Sequence, residues 1–170
     1  MRMKTMFLLA LLAPCGCDRT EVLPTESPTL APYEGLVAIA MHTDRPVLTV
    51  HYVSPDNELQ FNLTSVDAGT SMQVHRVPAG EYCVRYVTWP VTTFHADHLD
   101  AGPILCMTVQ PGVLNYPGHL QFADGESNLA RSLFHARYVP VPEDFGRRIH
   151  EDYPELVPML ARCGAACNAP

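Results

Sequence analysis

The chain has 170 residues, 47% of them hydrophobic, with 18 acidic against 11 basic side chains and a formal net charge of −7; that length fits one domain with appendages, and the apolar share is enough for a core. All acidic residues lie at or beyond Asp18, so the segment from Cys17 onward carries 9 Arg against 18 Asp and Glu, a net charge of −9, which argues against nucleic acid as a partner. The one Lys is Lys4, which excludes Schiff-base and P-loop lysine chemistry from the rest of the chain.

Arg2 and Lys4 precede an unbroken apolar run, Phe7–Ala13. The run is too short to span a bilayer, which takes about 20 residues. A positive start, a short apolar stretch and then small residues read as a signal peptide over 1–16. Pro14-Cys15-Gly16-Cys17 has the small residue and the Cys that a lipoprotein cleavage site needs, although Pro14 stands where Leu is usual. The other register, Leu12-Ala13-Pro14-Cys15, sets Pro directly before the cut, where its locked ring fits poorly. Cys17 is therefore the expected lipid-attachment residue, with Cys15 discarded. The stretch 17–34 is rich in Pro, Thr, Ser and Glu and has no hydrophobic period, so it is expected to be a flexible tether.

From Gly35 the pattern changes. "GLVAIAMH" (35–42) is a continuous apolar run suited to a central strand buried on both faces. "PVLTVHYV" (46–53) is β-branched, "SPDN" (54–57) is turn chemistry, and "ELQFNLT" (58–64) alternates. "MQVHRV" (72–77), "EYCVRYVTW" (81–89), "ILCMTVQ" (104–110), "VLNYPGHLQF" (113–122) and "LFHARYVPV" (133–141) follow, punctuated by Pro and Gly. Short strands at this spacing predict an antiparallel β-sandwich of seven or eight strands over 35–141. The period then switches. Pro142, Glu143 and Asp144 suit a helix start, and Phe145, Ile149 and Tyr153 recur four apart, so 142–164 is a helical C-terminal segment followed by a tail at 165–170.

Two stretches carry a resemblance. "VPAGEYCVRYV" (77–87) is similar to the turn-and-strand of transthyretin-like and carboxypeptidase-regulatory-like sandwiches; here Pro78 would preset the turn, Gly80 can take positive φ and Tyr82 would cap the core. "MTVQPGVLNYPGHLQF" (107–122), through Val109, Pro111, Gly112, Tyr116, Gly118 and Leu120, resembles a stretch of a group of uncharacterised bacterial envelope lipoproteins. "EDFGRRIHEDYPELVP" (143–158), with Tyr153, Pro154 and Leu156 in register, resembles their terminal helix. The resemblance implies a fold and an envelope location, and no chemistry.

Candidate chemistry is sparse. His95, Asp97 and His98, with Asp100 beside them, could ligate a divalent ion; the competing reading is a solvated loop. A metal site there would need a third ligand such as His75 or His119. Four cysteines remain beyond Cys17, namely Cys83, Cys106, Cys163 and Cys167, and an exported protein with an even count is expected to form disulfides, Cys83 with Cys106 and Cys163 with Cys167. The alternative for the last two is metal binding or thiol exchange, at a spacing that is not C-x-x-C. Trp89, Tyr86 and Phe94 could line a ligand groove or belong to the core. No G-x-S-x-G, H-E-x-x-H or Gly-rich phosphate loop occurs, so no catalytic residue and no cofactor is expected. The sequence reads as a lipid-anchored envelope protein with a periplasmic body, a non-enzymatic binding or structural module that meets an envelope protein or a small ligand. The alternative is a metal-dependent envelope enzyme built on the 95–98 cluster.

Overall fold

The computed structural model describes residues 20–96, 105–121, 136–139 and 142–160. The expected signal peptide, Cys17, Asp97, His98, Cys163 and Cys167 lie outside the described residues. Eleven strands are described: β1 Glu21–Val22, β2 Glu34–Thr43, β3 Val47–Val53, β4 Gln60–Val66, β5 Gly69–Pro78, β6 Gly80–Trp89, β7 Thr92–His95, β8 Cys106–Val109, β9 Leu114–Asn115, β10 His119–Gln121 and β11 Arg137–Val139. Helix α1, Pro142–Asp152, leads through a 3-10 turn, Pro154–Leu156, into a short α2, Val157–Leu160.

The strands form two sheets. One has the order β1-β5-β2-β10-β11, with β9 also on β2; the other has the order β4-β3-β6-β7, with β8 also on β6. Val37, Ile39 and Met41 of the first sheet and Val50, Tyr52, Leu63, Tyr82 and Val87 of the second share one core. Leu36, Ala38, Ala40, Val74 and Tyr116 share another with Phe145, Ile149, Tyr153 and Leu156 of the helical segment. The first sheet is thus the middle of three layers. Strand side chains alternate between faces, so β2, at its centre, must be apolar on both. Leu36 through Met41 are all buried, as the run predicted.

The helix follows from its four-residue period. Phe145 and Ile149 are buried against the sheet, while Arg147 and Glu151 pair on the outer side at 2.6 Å. Tyr153 donates its hydroxyl to the Met72 carbonyl at 3.3 Å, tying the helix end to β5.

Three features differ from expectation. Residues 20–34 of the expected tether lie on the body: Glu21 and Val22 pair with His75 and Val74 of β5, Val22 is buried and Leu30 packs on the outer core. One buried Val and an open sheet edge suffice to hold a segment that composition alone reads as solvated. The described part of that stretch, 113–121, holds two strands, both parallel to β2. Leu114 lies beside Leu36 and His119 beside Ala40, so the offset grows from 78 to 79 and one extra residue bulges out. Gly118 takes it up at φ +117°, with its Cα so close to β11 that a Cβ would meet the Val139 carbonyl carbon at 2.9 Å. Gly80, by contrast, has no positive φ; it opens β6 opposite Val109. Tyr82 does cap the core, fully buried and donating its hydroxyl to the Pro78 carbonyl at 2.9 Å.

Asn115 is the buried hub of this region. Its side-chain carbonyl accepts from the Gln110 N–H at 2.9 Å, and its amide donates to the carbonyls of Leu36 at 2.9 Å, Gln110 at 3.0 Å and Val113 at 3.3 Å. One side chain thereby closes the Pro111-Gly112 turn and fastens it to β2.

Candidate functional site

The helix-facing side of the middle sheet is apolar for most of its length and turns polar at one end. Along β2 the residues facing α1 run Leu36, Ala38, Ala40, and by alternation the next is His42. Its direct partners are Thr70 on β5 and Gln121 on β10. His119, two residues before Gln121, shares that face, because Leu120 between them enters the inter-sheet core. Asp144, Arg147 and Arg148 from the start of α1 close over them. Together His42, Thr70, His119, Gln121, Asp144, Arg147 and Arg148 line an open cleft of about 520 Å³.

His119 is 5% exposed. Its Nε2 is the only buried side-chain nitrogen or oxygen without a hydrogen-bond partner among the described residues. The nearest acceptor, Asp144 Oδ2, is 3.3 Å away but off the line of a ring N–H bond. Buried polar atoms are nearly always satisfied, so this one marks the cleft. Burial pushes the His119 pKa down, with Arg148 and His42 adding to the effect and Asp144 opposing it, so the ring is neutral at pH 7.

The other groups are held by defined partners. His42 Nδ1 lies 2.9 Å from Thr70 Oγ1. Arg147 binds the other oxygen of Asp144, Oδ1, as well as Glu151, and its own pKa is raised, chiefly by the bond to Asp144. Arg148 reaches Asp152 at 3.4 Å and the Thr70 carbonyl at 3.3 Å. The cleft therefore presents a neutral imidazole and a carboxylate at its floor, a second imidazole at its rim and two guanidiniums along one wall. Among known protein families, curated proteins and solved structures, none matches the chain.

Of the alternative metal cluster, His95 is among the described residues and Asp97 and His98 are not. His95 ends β7, exposed beside the Tyr86 ring on the outer face of the second sheet. His119 faces α1, on the far side of the middle sheet from that surface. His75 is buried between the sheets against Phe61 of β4, ring centres 5.4 Å apart, whereas β7 is at the opposite edge of that sheet. Neither can act as the third ligand beside His95. The Trp89, Tyr86 and Phe94 groove is split as well: Trp89 packs edge-on against Phe94 in the core, while Tyr86 stacks on His51 outside.

Cys83 and Cys106 are direct partners on β6 and β8 and form a disulfide, with Cα atoms 4.0 Å apart. Neighbouring strands bring them together, as expected. Sequence reasoning missed His42, Asp144, Arg147 and Arg148. The available signals were a His ending an otherwise apolar run, and a polar stripe of Asp144 and Arg148 beside the apolar Phe145 and Ile149.

Proposed function

We propose that the chain is an envelope lipoprotein, anchored through lipid on Cys17, whose β-body is a non-enzymatic module that binds a small ligand in the cleft under the start of α1. The sequence supports the anchoring: a basic start, a short apolar run and a small residue before Cys17. The acidic chain beyond it has no run of basic residues beside its N-terminus with which to hold anionic headgroups. A diacylglycerol supplies the two acyl chains that stable anchoring needs. The observation that carries the binding reading is the unpartnered, buried Nε2 of His119 at the floor of a concave, partly polar cleft, of the size that small-molecule sites have.

Two measurements test it. Cys17→Ser removes fatty-acid labelling and moves the protein out of the membrane fraction; label that persists in Cys17→Ser and disappears in Cys15→Ser refutes the choice of cysteine. Detergent-purified full-length protein is stabilised against heat by at least one member of a panel of amino acids, sugars, nucleotides and metal ions, and a cleft-filling Gln121→Trp abolishes the shift. A shift that survives Gln121→Trp removes the cleft from the account.

A further inference from the structure

We infer that the ligand class of this cleft is a divalent transition-metal ion of the Zn²⁺ type, bound by His119 Nε2, Asp144 Oδ2 and His42; this rests on the reading of the cleft as the binding place. The distance between the two floor atoms is the first argument. A charge-assisted hydrogen bond between imidazole and carboxylate closes to about 2.7–2.9 Å and is aligned. His119 Nε2 and Asp144 Oδ2 stand 3.3 Å apart and unaligned. A tetrahedral ion with bonds of roughly 2.0–2.1 Å holds its ligand atoms roughly 3.3–3.4 Å from one another. The pair thus has the spacing of two ligands on one ion.

The outer contacts are the second argument. Metal-binding histidines almost always give their other nitrogen to a neighbour, and ligating carboxylates are held in turn. Asp144 meets Arg147 through Oδ1, which leaves Oδ2. Two imidazoles and a carboxylate are a set that divalent transition metals bind well, whereas magnesium and calcium take oxygen. The Arg147 charge is already matched by Asp144 and Glu151, and that of Arg148 by Asp152, which lowers the repulsion an incoming cation meets.

The floor pair is converged; His42 stands at the rim, outside the 4.8 Å grouping, and ligation exchanges its Thr70 contact for the ion. Among the described residues, the one trio of donor atoms already within 4.8 Å of one another is Glu81, Cys83 and Cys106. Its two sulfurs are joined in the disulfide, so that trio is closed to metal while the bond stands.

Co²⁺ is the probe, since tetrahedral Co²⁺ absorbs in the visible and thiolate ligation adds a distinct near-ultraviolet band. The full-length protein in detergent, freed of metal with chelator, is titrated by equilibrium dialysis and absorption, then challenged with Zn²⁺. The expected result is one Co²⁺ per chain, a tetrahedral spectrum without the thiolate band, and displacement by Zn²⁺. His119→Gln loses saturable binding, and Asp144→Asn and His42→Ala each weaken it at least about tenfold, the lower end of what even an outer-shell partner contributes. His95→Ala leaves it unchanged. Circular dichroism checks that each variant is folded, and His119→Asn replaces His119→Gln if the latter is not. Absence of saturable binding by the folded wild type overturns the inference, as do a thiolate band, binding that survives His119→Gln or loss in His95→Ala. If no metal binds while another small molecule gives a heat shift that Gln121→Trp abolishes, the metal is wrong and the cleft stands. If neither occurs, both readings fall.

Discussion

Replacing Asn115 separates hydrogen bonding from packing at the buried turn that ties β9 to β2. Asn115→Ala removes one acceptor and two donors. It strands the Gln110 N–H, which has no other partner described, and takes a partner from the carbonyls of Leu36 and Gln110. Val113 is less affected, because its carbonyl also accepts from the Leu36 N–H at 3.0 Å. A buried group left unsatisfied costs about 1–3 kcal/mol and an ordinary hydrogen bond contributes about 1 kcal/mol. The expected loss is therefore about 3 kcal/mol. Asn115→Asp has the same shape and is worse at neutral pH, since it directs a carboxylate at three carbonyl oxygens. The introduced carboxyl has a folded pKa above its unfolded value of about 3.9. A raised folded pKa means that stability is greatest below the unfolded pKa and is lost as pH rises through the folded one. Urea denaturation of wild type and both variants at pH 4 and pH 8 reads this out. Asn115→Asp should lie below Asn115→Ala at pH 8 and regain ground on it at pH 4. An Asn115→Asp protein as stable as wild type at pH 8 would refute the hub.

Opening the disulfide with Cys83→Ser plus Cys106→Ser removes a closed loop spanning a sequence separation of 23. On the chain-entropy model this costs about 3 kcal/mol, and a urea midpoint equal to that of the oxidised wild type refutes it. Gly118→Ala meets both a positive φ and the backbone of Val139, so it should lose at least about 2 kcal/mol; calorimetry showing an unchanged Tm counts against the bulge. His119, with its folded pKa depressed by burial and by Arg148 and His42, supports stability above the unfolded value of about 6.5 and loses that support as pH falls toward its folded pKa. In chelator, wild type should weaken from pH 7.5 to 5 more steeply than His119→Gln; parallel slopes refute the assignment.

Strands declared by local pattern were legible. The apolar run of β2, the alternation of β4 and the Ser54–Asn57 turn, closed by a 2.9 Å bond from the Asn57 N–H to the Ser54 carbonyl, follow from neighbours in sequence. So does the four-residue repeat of α1, while the pairing of Cys83 with Cys106 was legible from the place of each inside an apolar strand. Elements defined by a distant partner were not legible. Glu21–Val22 is a strand because β5 has a free edge, and Thr92–His95 because β6 does. Splitting 113–121 into two parallel strands needs the register against β2, which no local period encodes. The cleft was illegible for the same reason. His42 and His119 are 77 residues apart in number, and only the parallel pairing of β2 with β10 and the laying of α1 across both make them neighbours. The 95–98 cluster drew notice because its residues are adjacent in sequence.

The parallel pairing sets an order of events. A chain that emerges N-terminus first completes β2 long before Leu114 and His119 exist to line its second edge, and longer still before Phe145 and Ile149 cover its outer face. Through that interval one edge and the outer face of the uncharged Leu36–Met41 run stand uncovered, the kind of β-segment that sticks to its own copies. Contacts of such separation also slow closure. The last described element in chain order is the helical segment, whose first helix brings Asp144 and both arginines to the cleft. The cleft is therefore completed late, and a chain cut short before residue 142 lacks its helical wall.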